Sequence, residues 1–201
     1  MSRARIAVLS AMALGAVATV AVTGTSLVSP SLWLGPCLRD FTSPISYQER
    51  ASPLATLRAP VGRGEILLCY GRPSMRQRQI FGGLVPFDSL WRTGANEPTR
   101  LSTNRPIILA GIPLAPGRYS IYSIPTPDKW AVFVSRSTQH WGNDISPAVR
   151  GKEVGRADIP TASLTAPVET LTVHAQQSGD SLLVAIDWET TRVVLPIKAV
   201  P

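Results

Sequence analysis

The sequence predicts an all-β fold, an antiparallel β-sandwich or jelly-roll-like single domain that follows an N-terminal transmembrane or signal helix. Eighteen prolines and fifteen glycines among 201 residues argue against long helices. From Glu65 onward the apolar runs are short and separated by turn residues, which is typical of strands. No window after residue 40 shows sustained helical periodicity. The expected organisation is a leader or anchor over residues 1–28, a proline-rich tether over 29–53 and one β domain over 54–201.

The N-terminal segment is expected to direct the chain across a membrane. Arg3 and Arg5 precede the apolar run 6–28, whose 23 residues would span roughly 34 Å as a helix, against about 30 Å for a bilayer core. A cleaved signal peptide is the alternative, because residues 16–18 form a small-x-small triplet. Both interpretations place the following domain outside the cytoplasm, since positively charged residues before a span stay inside.

The chain has two cysteines, too few for a disulfide-dense scaffold or a four-cysteine zinc site. One of them lies in the tether. An oxidising compartment would permit a disulfide between Cys37 and Cys69. Two unpaired thiols are the alternative, and the sequence does not decide between them.

The predicted strands follow one another with a turn between each pair. We expect them at residues 66–70, 107–110, 118–124, 130–134, 169–175, 182–188 and 191–197. The strands at 169–175 and 182–188 are expected to form a hairpin, because residues 169–175 alternate in polarity and Ser178-Gly179-Asp180 is a plausible turn between the two.

One polar segment between strands carries a family resemblance. It contains the Arg-Pro-Ser turn at 72–74, the Gly-Gly pair within 80–86 and the string Leu-Trp-Arg-Thr-Gly-Ala-Asn-Glu-Pro-Thr at 90–99. In these pieces the chain resembles the bacterial DUF2911 family, a domain of unknown function, over about residues 52–200. One departure is Gln77, where the family commonly has glycine. The resemblance implies an extracytoplasmic, mostly β domain and supplies no activity, so any site must be argued from residue chemistry.

A candidate ligand-binding site is expected in this polar segment and in the loop that contains Trp141. Its residues are Arg72, Arg78, Arg92, Asn96, Glu97 and Trp141. Guanidinium groups present forked donors that suit a carboxylate or phosphate, and a tryptophan beside a glycine is common on sugar-stacking surfaces. The alternative is that the arginines brace loops and that Arg92 pairs with Glu97. Trp91 is expected to be a core anchor instead of a stacking platform.

The expected function is that of a non-catalytic binding or cell-envelope-associated module for an anionic or sugar-like ligand. A hydrolase with Glu97 or His140 as the acid–base group and Arg92 as the anion stabiliser is one alternative. Against it, Ser74 and Ser120 lie in no nucleophile-elbow pattern. A purely structural role for the polar motif is the other alternative.

No cofactor or metal is expected, because the chain has no glycine-rich phosphate loop and no metal-ligand spacing. The net charge of +7 suggests attraction to an anionic envelope or to lipid head groups. Nucleic acid is not expected as a partner, since the domain would lie across a membrane from the cytoplasmic pool. The expected location is the periplasmic or extracellular side of the inner membrane, or the medium if the leader is cleaved. The ligand and the oligomeric state stay open.

Overall fold

The computed structural model describes residues 34–37 and 50–200. This part of the chain contains nine strands and one helical turn. In chain order they are β1 (Leu54–Val61), β2 (Gly64–Gly71), β3 (Thr99–Thr103), β4 (Ile107–Leu109), β5 (Ile112–Leu114), β6 (Gly117–Pro125), β7 (Lys129–Ser135), α1 (Pro147–Arg150), β8 (Glu153–Ser178) and β9 (Ser181–Ala199). The expected N-terminal helix and most of the tether lie outside the described residues. Within those residues, no helix has the length and apolar character needed to cross a membrane.

All nine strands join one antiparallel sheet in the order β1-β2-β3-β6-β7-β8-β9-β4-β5. The predicted all-β antiparallel fold is therefore confirmed, as one continuous sheet. A division into the two packed sheets of a sandwich stays a prediction. Strands β1, β3 and β5 were not predicted. Arg58 and Pro60 interrupt the apolar residues of β1, β3 has a single large apolar residue, Leu101, and Pro113 gives β5 the appearance of a turn.

The long strand β8 connects the two halves of the sheet. Its first part, from Glu153 to Pro160, pairs with β7, and its remainder pairs with β9. The register between β8 and β9 shifts twice between Ser163 and Thr172, and such irregularities bend a strand. Elements far apart in the strand order then approach each other. A Cβ added to Gly155 of β8 would lie 2.5 Å from Ile112 of β5, and one on Gly62 after β1 would lie 2.6 Å from Ala199 of β9.

The main core lies on the inner face of the curved sheet and contains a cluster of aromatic rings. Trp91 is central, with ring centroids 5.4 Å from Trp130, 6.0 Å from Trp188 and 6.0 Å from Phe81. The Trp91 residue is only 5% exposed, which confirms its predicted role as a core anchor. Aromatic pairs at these separations add to the stability gained from burial alone.

The opposite, outer face of the sheet carries both polar and apolar residues where β2, β3 and β6 lie side by side. Strand periodicity turns alternate residues outward, and the register aligns them in rows across the sheet. One row contains Cys69, Arg100 and Ser120, and the next contains Leu67, Ser102 and Arg118.

A disulfide between Cys37 and Cys69 attaches the tether to this outer face, with 5.6 Å between the two Cα atoms. The open question of the two cysteines is thereby answered in favour of the bridge. Leu34 packs against Leu67 and the bridge, and Nη2 of Arg58 donates to the carbonyl of Gly35 at 2.8 Å. The segment 34–37 is therefore part of the folded domain.

Candidate functional site

The string at residues 90–99 is held against β6 by backbone and side-chain hydrogen bonds. Trp91 and Ser123 exchange both backbone hydrogen bonds at 2.8 Å. The hydroxyls of Thr93 and Ser123 lie 2.9 Å apart, and Thr99 donates from Oγ1 to the carbonyl of Thr93 at 2.7 Å. The indole of Trp91 donates to the carbonyl of Gly94 at 3.1 Å. These contacts fix the turn from both ends and position the charged residues within it.

The turn itself requires left-handed backbone at two residues that are not glycine. Thr93 has φ of 54° and Asn96 has φ of 62°. Asparagine tolerates this region better than most residues, and here its side chain also donates to the carbonyl of Ser52 at 2.8 Å. The turn packs so closely against Gly71 that a Cβ at this position would collide with the carbonyl oxygen of Ala95.

Glu97 forms a buried ion pair with Arg50. Nη1 of Arg50 donates to Oε1 of Glu97, and the two side chains are 3% and 1% exposed. The guanidinium of Arg50 also lies over the ring of Trp141, 5.4 Å from its centroid. Arg50 thus joins the turn to the loop that contains Trp141.

Arg92 lies against the same loop. Its backbone N–H donates to Oδ1 of Asn143 at 3.1 Å, and a Cβ on Gly142 would lie 2.9 Å from its Nη1. Burial lowers the pKa of Arg92 below its ordinary value, and the nearby carboxylate of Glu97 acts in the opposite direction. Nε of Arg92 is buried and has no hydrogen-bond partner among the described residues.

His140, next to Trp141, is only 8% exposed. Burial lowers its pKa, while the charge of Asp144 and the backbone of Ser137 act in the opposite direction. Neither ring nitrogen makes a hydrogen bond of ordinary geometry in the described part of the protein. The lowered pKa favours the uncharged ring, which has one donor and one acceptor nitrogen.

We call Arg50, Arg92, Glu97, His140 and Trp141 the arginine centre. Arg50 and Arg92 carry three buried nitrogens without partners among the described residues: Nε and Nη2 of Arg50 and Nε of Arg92. Arg92 and Trp141 are only half-buried, so the centre reaches solvent at these two side chains. A buried donor without a partner is costly, which makes the centre suited to a ligand that accepts hydrogen bonds.

The structure brings four of the six predicted site residues together and gives the other two different partners. Arg92, Asn96, Glu97 and Trp141 lie in the turn and the adjoining loop. Arg72 instead donates to the carbonyl of Leu171 at 3.1 Å and to Oγ1 of Thr172 at 3.0 Å. Arg78 donates to the carbonyls of Met75 and Ser74, both at 2.9 Å, and braces its own turn. Whether any of the six binds a ligand stays a prediction.

Arg50 is the participant that the sequence did not reveal. It lies in the expected tether, outside the polar segment, and no motif or spacing links it to Glu97. The one available signal was its position two residues before the start of the family resemblance. No group of three or more histidine, cysteine, aspartate or glutamate side chains that would hold a metal ion occurs among the described residues.

Fold and site together define an antiparallel β protein in which the turn at residues 90–99 contributes one partner of a buried arginine–glutamate pair. A family model described as "Protein of unknown function (DUF2911)" matches residues 52–197, and the chain belongs to this family. The resemblance seen in the sequence is thus confirmed. Searches of curated proteins and of solved structures returned no match.

Proposed function

We propose that the protein is a non-catalytic binding module of the cell envelope, and that its arginine centre binds a small anionic, sugar-like ligand. The observation that carries the proposal is the set of buried guanidinium nitrogens on Arg50 and Arg92 that have no partner among the described residues. Guanidinium groups bind carboxylates through paired, charge-assisted hydrogen bonds. The half-buried Trp141 offers a flat apolar surface beside them, which suits a sugar ring.

Binding is favoured over hydrolysis by the state of the two acid–base candidates. Glu97 is sealed by Arg50 and almost completely buried, so its carboxylate is poorly placed to exchange protons with a substrate. His140 makes no hydrogen bond of ordinary geometry to Asp144 or Glu97, the carboxylates that would have to orient it as a general base.

The location outside the cytoplasm, beyond an N-terminal anchor or signal, is part of the same proposal. The disulfide between Cys37 and Cys69 supports it, because such bonds persist in oxidising compartments and are rare in the cytosol. We further propose that the single sheet is arranged as a sandwich, with the halves on either side of β8 facing each other across the core. The approach of β5 to β8 and of the end of β1 to β9 supports this arrangement.

Titration of the full-length protein with glucuronate and with glucose tests the ligand class. We expect saturable binding of glucuronate and at least tenfold weaker binding of glucose, because only glucuronate carries a carboxylate. Arg92→Gln should weaken glucuronate binding at least tenfold, about the effect of one charge-assisted hydrogen bond.

Arg78→Gln is the matched control, since it removes a guanidinium group that serves only its own turn. It should leave glucuronate affinity unchanged within about twofold. Equal affinity of wild type and Arg92→Gln would contradict the proposal, as would equal affinity for glucose and glucuronate.

A further inference from the structure

A second polar site lies on the outer face of the sheet, separate from the arginine centre. It is an open cavity of about 190 Å³. Two arginines, Arg100 and Arg118, line it from the neighbouring strands β3 and β6. Hydrogen-bonding side chains of Ser102, Thr138 and Gln139 complete its polar part. None of these residues belongs to the arginine centre.

The cavity also has an apolar wall, which the tether supplies. Leu34, Gly35 and Pro36 line one side, together with Leu67 and the disulfide-bonded Cys69. The bridge to Cys37 holds this wall in place. A site with two guanidinium groups and an apolar wall suits an anion that carries a short organic substituent. A drug-sized pocket holds about 300–1,000 Å³, so only a small group fits here.

The surrounding surface is cationic at the same end of the sheet. Arg63, Arg105 and Arg118 are exposed, and none of the three forms an ion pair in the part of the chain that the structure describes. Arg105 lies against Gly64, where an added Cβ would be 2.5 Å from its Cγ. The neighbouring Arg58, in contrast, forms an ion pair with Glu65 at 2.5 Å. The field of these charges favours an anion at the mouth of the cavity.

The tether relates this cavity to the predicted anchor. Only residues 29–33 separate the apolar run 6–28 from Leu34, and they span at most about 20 Å when fully extended. The wall of the cavity therefore lies near the surface of any membrane that holds the run. Phosphate esters are the anions that this surface carries in greatest number.

We propose that the cavity is a binding site for a phosphate ester of glycerol size, with Arg118 as the exposed arginine that binds it. The proposal adds a second site to the module and does not depend on the arginine centre. The same chemistry has two sources, a soluble glycerol phosphate or the headgroup of an anionic phospholipid.

The full-length protein in an uncharged detergent allows both sources to be compared. We would titrate it with glycerol 1-phosphate, with mixed micelles that contain phosphatidylglycerol and with micelles that contain phosphatidylcholine. The backbone amide signals of Thr138 and Gln139 in heteronuclear NMR spectra report on the cavity. We expect saturable shifts with the first two probes and at least tenfold weaker binding of phosphatidylcholine, whose headgroup has no net charge. Tighter binding of phosphatidylglycerol than of glycerol 1-phosphate identifies the lipid, and equal or weaker binding identifies the soluble ester.

Two variants locate the binding. Arg118→Gln should weaken it at least tenfold, and Arg63→Gln, which removes another exposed charge outside the cavity, should change it less than threefold. Cys37→Ser combined with Cys69→Ser should also weaken it, because the wall is no longer attached. Absence of saturation with every probe, or equal effects of Arg118→Gln and Arg63→Gln, would overturn the proposal. The glucuronate titration and the Arg92→Gln variant test the arginine centre separately, so either proposal can fail while the other holds.

Discussion

Arg50 donates from Nη1 to Oε1 of Glu97, and almost nothing of either side chain is exposed to solvent. The pair joins positions 47 residues apart, one in the chain before β1 and the other in the turn before β3. Two charges taken out of water are tolerated only when they face each other, because each alone carries a large desolvation penalty. Loss of either partner is therefore expected to destabilise both the segment before β1 and the turn before β3.

Glu97→Gln should lower the free energy of unfolding by about 3–5 kcal/mol, since it leaves the charge of Arg50 buried without compensation. Urea denaturation followed by tryptophan fluorescence measures the change. Glu65→Gln is the control: it breaks the half-exposed pair with Arg58, and such pairs contribute at most about 1 kcal/mol. A similar loss in both variants would show that Arg50 and Glu97 are not a buried pair in solution.

Reduction of the disulfide should destabilise the domain and detach segment 34–37. Cys37 and Cys69 are 32 residues apart, a loop for which chain entropy predicts a stabilisation of about 3–4 kcal/mol. Denaturation of the protein with and without a reducing agent checks this value. The Cys37→Ser, Cys69→Ser protein is the control and should show no effect of the reductant. No difference between oxidised and reduced wild type would contradict the bridge.

The sequence was sufficient for the fold class and for the strands with clear apolar runs. Residues 66–70 and 182–188 fall within β2 and β9, because buried strands need continuous apolar stretches. It failed for the first half of β8, where Ile159 is the only buried residue and the half-buried positions include small residues such as Gly155 and Ala157. That half is a strand because it forms backbone hydrogen bonds with the edge of β7. The local sequence contains no signal of this pairing.

The candidate site was predictable only in part, for the same reason. Residues 92–97 stand out as a dense polar string, and the structure places Arg92 and Glu97 in one centre. Arg72 and Arg78 carry the same chemistry in the sequence, but each is occupied by backbone carbonyls that only the folded chain brings near. Arg50 was missed because its contact with Glu97 is tertiary, between residues 47 positions apart in the chain. Residue type predicts what a side chain can bind, and topology decides whether it is still free to do so.

Gly142→Ala should disturb the arginine centre through Arg92. Gly142 has φ of 55°, and its added Cβ would lie 2.9 Å from Nη1 of Arg92. We expect a loss of about 1–3 kcal/mol in stability and weaker glucuronate binding. Gly179→Ala has a similar φ of 58° with nothing within 4 Å, so it carries the backbone cost alone. Thermal melts and titrations of both variants separate the two effects, and equal glucuronate affinity in both would exclude the contact with Arg92.

Asp187 should make the stability of β9 depend on pH. Burial alone would raise its pKa, but hydrogen bonds from Arg192 and His174 hold the pKa below the ordinary value for aspartate. A carboxylate with a lowered folded pKa stabilises the protein above its unfolded pKa of about 4, and the stabilisation is lost as the pH falls through the folded pKa. Asp187→Asn should therefore be less stable by about 1–3 kcal/mol at pH 7, and the difference should shrink as the pH falls below about 4. A constant difference in the melting temperature over this range would contradict the lowered pKa.

Gln77→Gly should stabilise the protein, although it removes a side chain. Gln77 is exposed and has φ of 60°, in the left-handed region where a Cβ costs roughly 1–2 kcal/mol. Glycine removes that cost, but it also increases the conformational entropy of the unfolded chain, which offsets part of the stabilisation. We therefore expect the free energy of unfolding to rise by about 0.5–1 kcal/mol. Gln77→Ala is the control at the same position: it loses the same polar group but keeps the Cβ, and it should show no gain. A gain of stability in urea denaturation by the glycine variant alone would show that the backbone conformation at this position favours glycine. A gain in both variants would instead assign the effect to the glutamine side chain.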